Sequence, residues 1–370
     1  VDIVVLQSFL HNYDRLTTDP NEADLFVVPY PHKSHCMCKQ EDHAKIMCKY
    51  DFAYIQEHIL GKLAYLNDTS NARHLFVLGS DWDLANPPFR RMAKLQLSLG
   101  PAAACRKWNQ GGPDDNCGSF VIPYVNTGSD FQPGAISRRT SDWWTSTRPR
   151  QYSLTAIMGS PNHLEMRNEF FDNWKTLLGT SIGGLPVYIT NNGNDRNLRR
   201  HDVAMDVYRN STFCLILAGD DCGQKRFFDV AMSGCVPVVL AYNVSDDDHG
   251  YPSWFKRNTC SIRRAYPFAR GTFANDRKAG IDYTSFVVQI DAEGGGKCSS
   301  GLECIKPTLE RLMASPTTEL DRLRTNLAQH AQLFSYGMND ESTGEPDAFS
   351  STVVTIRHYL NVLRRGEKQG

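Results

Sequence analysis

The chain has 370 residues, with 40 Lys plus Arg against 41 Asp plus Glu and a formal net charge of −1. That balance leaves no global field for nucleic acid or an anionic membrane, and 41% hydrophobic with 11% aromatic residues excludes a disordered polymer. The length suffices for two domains, and no window approaches the roughly 18 apolar residues of a membrane span.

From Val1 to Leu16 a stripe of Ile3, Leu6, Phe9, Leu10 and Tyr13 predicts a helix, and Ala23 to Pro29 a buried strand. His32 to Cys48 carries His32, His35, Cys36, Cys38, His43 and Cys48. Their spacing matches no zinc module with paired cysteines, so a loop stapled by Cys36 or Cys38 with Cys48 is expected, with zinc as the alternative. Tyr50 to Leu66 reads as an amphipathic helix, His74 to Leu78 as a strand, Arg90 to Leu99 as a helix and Ser119 to Pro123 as a short strand. Asp81 and Asp83 follow the His74–Leu78 strand, at the end where open α/β sheets place ligands. The polar, Trp-containing stretch Ser141 to Pro149 is the expected linker.

Tyr152 to Met158 opens a second domain as a strand, followed by a helix near Leu164 to Leu178 that carries Arg167. Val187 to Thr190 is a strand and Asp202 to Asn210 a helix. Phe213 to Leu217 then reads as a buried parallel strand, Ala218 to Gln224 as a polar loop, Lys225 to Ser233 as a helix ended by Gly234, and Val236 to Leu240 as another strand. The loop opens onto a helix N-terminus with Lys225 and Arg226 in its first turn, a natural seat for a phosphate-bearing ligand. Arg226 and Asp229, three apart, fall on one helix face. Neither GxxxxGK[ST] nor GxGxxG is present there, and the lack of a GxGxxG after a strand argues against a dinucleotide-dependent oxidoreductase. Ser285 to Ile290 is a further strand. Ile305 to Met313, Thr318 to Phe334 and Asp347 to Leu363 are predicted helices.

Eleven cysteines, with acceptor sequons at Asn67, Asn210 and Asn243, favour an oxidising lumen. Cys105 with Cys117 and Cys298 with Cys304 are plausible local pairs. The odd count leaves at least one thiol free or paired between chains, and Cys214 and Cys235, in buried strands, are the expected free candidates. The start at Val1, with neither initiator Met nor signal peptide, reads as the lumenal catalytic portion of a longer protein.

The stretch from Ser211 to Val238 resembles the exostosin-type glycosyltransferases, whose pattern runs approximately S-x-F-C-L-x-P-x-G-D-[ST]-P-x-S-x-R-x-F-D-A and then G-C-[IV]-P-V. Ser211, Phe213, Cys214, Leu215, Gly219, Asp220, Arg226, Phe228, Asp229, Gly234, Cys235, Val236, Pro237 and Val238 match it in register. Leu217 stands in place of a proline, Asp221 of a hydroxyl residue, Cys222 of a second proline, Gln224 of a serine and Val230 of an alanine. Near the start, Tyr13, Thr18, Asp19, Pro20 and Glu22 to Pro29 are also similar to the family, in which an earlier strand precedes this helix. Gly79 to Asp83 is similar to its H-D-W-G turn, with Ser80 for His and Asp83 for Gly.

The resemblance implies an α/β GT-B fold. Two Rossmann-like domains would face each other across a cleft, with a terminal helix packing back on the first. The boundaries expected are 1–148 for the acceptor domain, whose first strand would lie upstream of Val1, 149–335 for the nucleotide-sugar domain and 336–370 for the returning helix. It also implies an inverting transfer from a nucleotide-sugar, a UDP-sugar, to a glycan or glycoprotein acceptor. No obligatory metal or other cofactor is implied. Localisation would be the Golgi or secretory lumen, with a membrane anchor upstream and no membrane contact in this segment. Arg226, Arg167 and Lys225 are the residues expected at the donor diphosphate, with Gly219 and Asp220 in the loop and Asp229 positioning Arg226 or touching the donor's ribose or sugar. Inversion needs a general base, for which Asp81 and His32 are the candidates and Asp83 the third. The altered loop motivates one alternative, a catalytically silent subunit that binds glycan or a partner glycosyltransferase.

Overall fold

A computed structural model describes residues 2–30, 55–67, 73–77, 95–98, 118–124, 149–159, 165–191, 201–217, 224–241, 266–269, 280–292, 296, 298–314, 318–336 and 347–367. The chain divides into two compact units, Val1–Val125 with Phe349–Gly370, and Asn126–Ala348.

The first unit is built on short parallel strands, β1 (Phe26–Val27), β2 (His74–Val77), β3 (Leu95–Ser98) and β4 (Gly118–Val121), in the order β1-β2-β3-β4. β2 is buried at every position, as the apolar run His-Leu-Phe-Val requires of a parallel strand covered on both faces. Helix α1 (Asp2–Asn12) is shorter than its apolar stripe suggested. It buries Val5, Leu6 and Phe9 while Ile3 and Leu10 stay exposed. The terminal helix, Ala348–Glu367, also belongs here from Phe349 onward. Its Phe349 ring lies edge-on to Phe9 at 4.9 Å, Tyr359 to Phe120 at 5.6 Å, and Arg364 is ion-paired with Asp24.

Two expected helices are corrected. Leu95 to Ser98 forms β3, because Leu95 and Leu97 alternate with polar residues and both are fully buried, a period of two rather than 3.6. Ile55–Ile59 is a π turn continued by a 3-10 turn at Leu60–Lys62, and of Ile59, Leu63 and Leu66 none is buried. Among the described residues of the segment, Leu60 alone is buried, so Ile59, Leu63 and Leu66 form no covered apolar stripe; Tyr50 to Tyr54 lie outside the described residues.

The second unit carries the larger sheet, in order β10-β9-β8-β5-β7-β6. Its strands are β5 (Tyr152–Met158), β6 (Ser181–Ile182), β7 (Leu185–Asn191), β8 (Ser211–Ile216), β9 (Val236–Ala241) and β10 (Val288–Asp291). All neighbours pair in parallel except β6 with β7. The helices are α2 (Glu165–Leu178), α3 (His201–Arg209), α4 (Lys225–Met232), α5 (Gly301–Ala314) and α6 (Thr318–Ala331), and α7 (Ala348–Glu367) closes the chain. Leu154, Phe170, Phe213, Leu215, Val236, Val238, Ile290, Ile305 and Leu309 share one core. β5 connects through α2 to β7 on one side, and β7 returns through α3 to β8 on the other. The strand order therefore reverses between β5 and β8, and it is at the carboxyl ends of such strands that open α/β sheets bind ligands.

Cys214 and Cys235, expected to be free thiols, are joined in a disulfide with Cα atoms 5.9 Å apart. Phe213 pairs with Val236, which brings Cys214 on β8 beside Cys235, the residue just before β9 and 21 positions further along the sequence. Burial alone therefore did not decide the redox state; register did. Cys298 and Cys304 are bonded as expected. Cys105, Cys117 and the His32–Cys48 cluster lie outside the described residues.

Replacing both Cys214 and Cys235 with Ala removes a cross-link that closes a loop of medium length. Urea unfolding followed by far-UV circular dichroism should show the second unit about 3 kcal/mol less stable.

Candidate functional site

Helix α4 is fixed from below. Phe227 and Phe228 are buried, and Phe227 packs its ring at 4.3 Å from Tyr266, 5.8 Å from Tyr283 and 5.9 Å from Phe334. Its end is a Schellman cap: Gly234 takes φ 67°, its N–H donates to Ala231 O at 3.1 Å, and Cys235 N–H reaches Val230 O at 3.3 Å. With that end and the apolar face held, the first turn keeps Gln224, Lys225 and Arg226 half-buried.

Arg167, 6% exposed on α2, spans the reversal point. Its Nη1 donates to Gly159 O at 2.8 Å, one residue past β5, and its Nη2 to Leu217 O at 2.9 Å, one residue past β8. The same Nη2 reaches Gln224 Oε1 at 3.0 Å. Arg226 Nη1 donates to that same oxygen, also at 3.0 Å. Gln224 Nε2 completes the arrangement by donating to Leu217 O at 2.9 Å. Two guanidinium groups from distant parts of the chain thus converge on one neutral oxygen beside a helix N-terminus.

Lys225 and Asp229 form a different pair. Nζ lies 2.7 and 2.8 Å from the two carboxylate oxygens, one helical turn along, with Asp229 8% exposed. Behind Arg226 stands Tyr208 of α3, 3% exposed, whose phenol feels the charges of the Arg226 guanidinium and the Asp229 carboxylate. Burial pushes the Tyr208 phenol up to about 12, against a smaller opposing pull from Arg226. The site is therefore Arg167, Arg226, Gln224, Lys225, Asp229 and Tyr208.

Of the residues singled out in the sequence, Arg167, Arg226, Lys225 and Asp229 are brought together here. Gly219 and Asp220 of the loop, and Asp81, His32 and Asp83, lie outside the described residues. Sequence reasoning missed Tyr208 and the role of Gln224. The signal for Gln224 was its departure from the expected serine; Tyr208 offered none beyond its helical spacing. Among the described residues, no three His, Cys, Asp or Glu side chains are grouped to hold a metal ion, and no helix is long and apolar enough to cross a membrane.

The family model described as the exostosin GT47 domain matches residues 1–248, a span that takes in β1 to β9 and stops short of β10. Among solved structures, the one described as "Crystal structure of GtfA/B complex" matches with a TM-score of 0.37 at 10% identity, over 79% of this chain and 54% of that one. The chain thus spans about half the length of the solved chain it matches. A comparison with curated proteins finds no match.

Tyr208 is a raised acid group, so the sign of its pH effect is fixed. Its protonated form is favoured by folding, and the stability this gives is whole below the ordinary pKa of 10.0 and declines as pH rises toward 12. Between pH 8 and pH 11 wild type should lose about 1 kcal/mol of stability relative to Tyr208→Phe in matched urea titrations, because only wild type carries the titration penalty.

Proposed function

Because the chain belongs to the exostosin GT47 family, we propose that it is an inverting glycosyltransferase that moves a sugar from a UDP-sugar to a hydroxyl of a glycan or glycoprotein. Membership makes it a glycosyltransferase domain, and its two compact units, each with a parallel-rich sheet, support the GT-B type as part of the proposal. The donor, the acceptor and the stereochemistry belong to the proposal. The observation that carries the proposal is the convergence of Arg167 and Arg226 at the carboxyl ends of β5 and β8. Charge develops on the leaving diphosphate as the glycosidic bond to its phosphate oxygen breaks. Fixed cations at a helix N-terminus stabilise that charge without having to reorganise.

In the transfer, the acceptor oxygen attacks the anomeric carbon from the face opposite the nucleotide. The bond from that carbon to the β-phosphate oxygen breaks, its electron pair leaves with UDP, and the acceptor's proton passes to a carboxylate or imidazole. Asp81 and His32 are the groups proposed for that proton, with Asp83 third. Arg226 and Arg167 receive the diphosphate, and Gly219 and Asp220 are proposed as further donor-binding residues. Lys225 is held by Asp229, so its charge is already partly spent inside the protein. Asp229 has a second use proposed for it, toward the donor's ribose or sugar. No metal is assigned a step. The Cys214–Cys235 and Cys298–Cys304 disulfides support a setting in the oxidising secretory lumen, for which the Golgi and an upstream membrane anchor are proposed.

Arg226→Ala should lower donor hydrolysis and transfer at least about 100-fold while leaving the circular dichroism spectrum and melting temperature close to wild type. A donor screen of nucleotide against sugar, scored by hydrolysis without acceptor, identifies the substrate. Full activity in Arg226→Ala would remove the donor site from this position. Absence of UDP-sugar binding by calorimetry in the wild-type chain would instead favour a silent, glycan- or partner-binding subunit.

A further inference from the structure

Gln224 occupies the position where the exostosin pattern has serine, and its side chain does what serine could not. A serine hydroxyl is one bond from Cβ. The carboxamide reaches two bonds further and presents an acceptor and a donor together. Its oxygen accepts from Arg167 and Arg226, each at 3.0 Å, and its nitrogen is anchored on Leu217 O at 2.9 Å. Arg167 and Arg226 come from helices that follow different strands, and like charges brought this close repel each other. Something must set the distance between them. The only bridging group among the described residues is this one oxygen.

The chemistry of the bridge also matters. A carboxylate in this place would hold both guanidinium groups more strongly, but it would cancel their charge and repel a diphosphate. A neutral carboxamide fixes the spacing and leaves the positive charge available. The geometry points to Gln224 as a positioning residue of this chain, one that presets Arg167 and Arg226 for the two phosphates of a nucleoside diphosphate. This rests on the donor-site reading above.

The test uses UDP itself, titrated by calorimetry into wild type, Gln224→Glu, Gln224→Ala, Gln224→Ser and Arg226→Ala, with melting temperatures measured alongside. Gln224→Glu should lose UDP affinity by at least about 30-fold while melting at or above the wild-type temperature, since the added carboxylate strengthens the bridge and blocks the ligand. Gln224→Ala and Gln224→Ser should lose about three- to tenfold, through a loosened pair of arginines. The opposite signs of stability and binding in Gln224→Glu are what a residue that merely supports the fold would not produce. UDP binding within twofold of wild type in the Glu variant overturns the proposal. So does a fall in melting temperature that accompanies the loss of binding in all three Gln224 variants. Arg226→Ala separates the two readings. If it loses UDP and the Gln224 variants do not, the role of Gln224 fails alone; if it binds UDP like wild type, the donor site fails with it.

Discussion

A guanidinium buried between the carboxyl ends of two neighbouring parallel strands is the constraint on which the second unit's working edge depends. Parallel strands end in carbonyl groups that have no further ladder partner, and where the strand order reverses, two such ends lie side by side. Arg167 donates to both, at Gly159 and at Leu217. Taking that cation out of water is costly, and the cost is offset only by well-made hydrogen bonds. The side chain therefore sits in one place, and the strand ends are held with it. That edge of the sheet is held because the fold needs the guanidinium bonded.

The rest of the site is hung from that point by packing. Phe227 and Phe228 are buried among Tyr266, Tyr283 and Phe334, so the apolar face of α4 cannot slide. The Schellman cap at Gly234 sets where the helix stops, and the Cys214–Cys235 bond ties the strand before the helix to the turn after it. Strand, helix and strand are consequently one body. Arg226, two residues into a helix fixed at its far end, inherits a defined position without needing a carboxylate of its own to hold it. Tyr208 adds a hydroxyl from behind, and its protonated state at all physiological pH values keeps that contact neutral.

Much of this was legible in the residues, and the parts that were not share a cause. The strands and helices from Tyr152 onward follow from continuous apolar runs and clear 3.6-residue stripes, and Gly234 announced its own cap. The first unit was harder to read. Leu95 and Leu97 sit in a four-residue strand, too short for its alternation to outweigh a helical reading of the surrounding segment, and the fold does not bury Ile59, Leu63 or Leu66. The Cys214–Cys235 bond joins residues 21 positions apart and depends on the register of β8 with β9, which no local pattern carries. Gly159 and Leu217 contribute backbone oxygens, which are identical in every residue type and leave no trace in sequence. The candidate site was visible as Arg167, Arg226, Lys225 and Asp229, but not the way those four divide into a bridged arginine pair and a separate ion pair.

That division changes the meaning of the departures in the loop. Leu217 in place of proline looks like a loss of stiffness, yet the group the site uses there is the carbonyl, which a proline would present equally. The Leu217 side chain goes into the core with Phe213, Leu215 and Val238, so it gains burial where proline would gain rigidity. Gln224 then donates to that same carbonyl. The two departures bracket the loop and meet at one oxygen. A serine at 224 is too short to reach from the helix to Leu217 and to both arginines, so changing 224 alone would unfasten the pair. Leu217 and Gln224 thus act together in this chain, the one supplying the carbonyl that anchors the carboxamide and the other bridging the two cations.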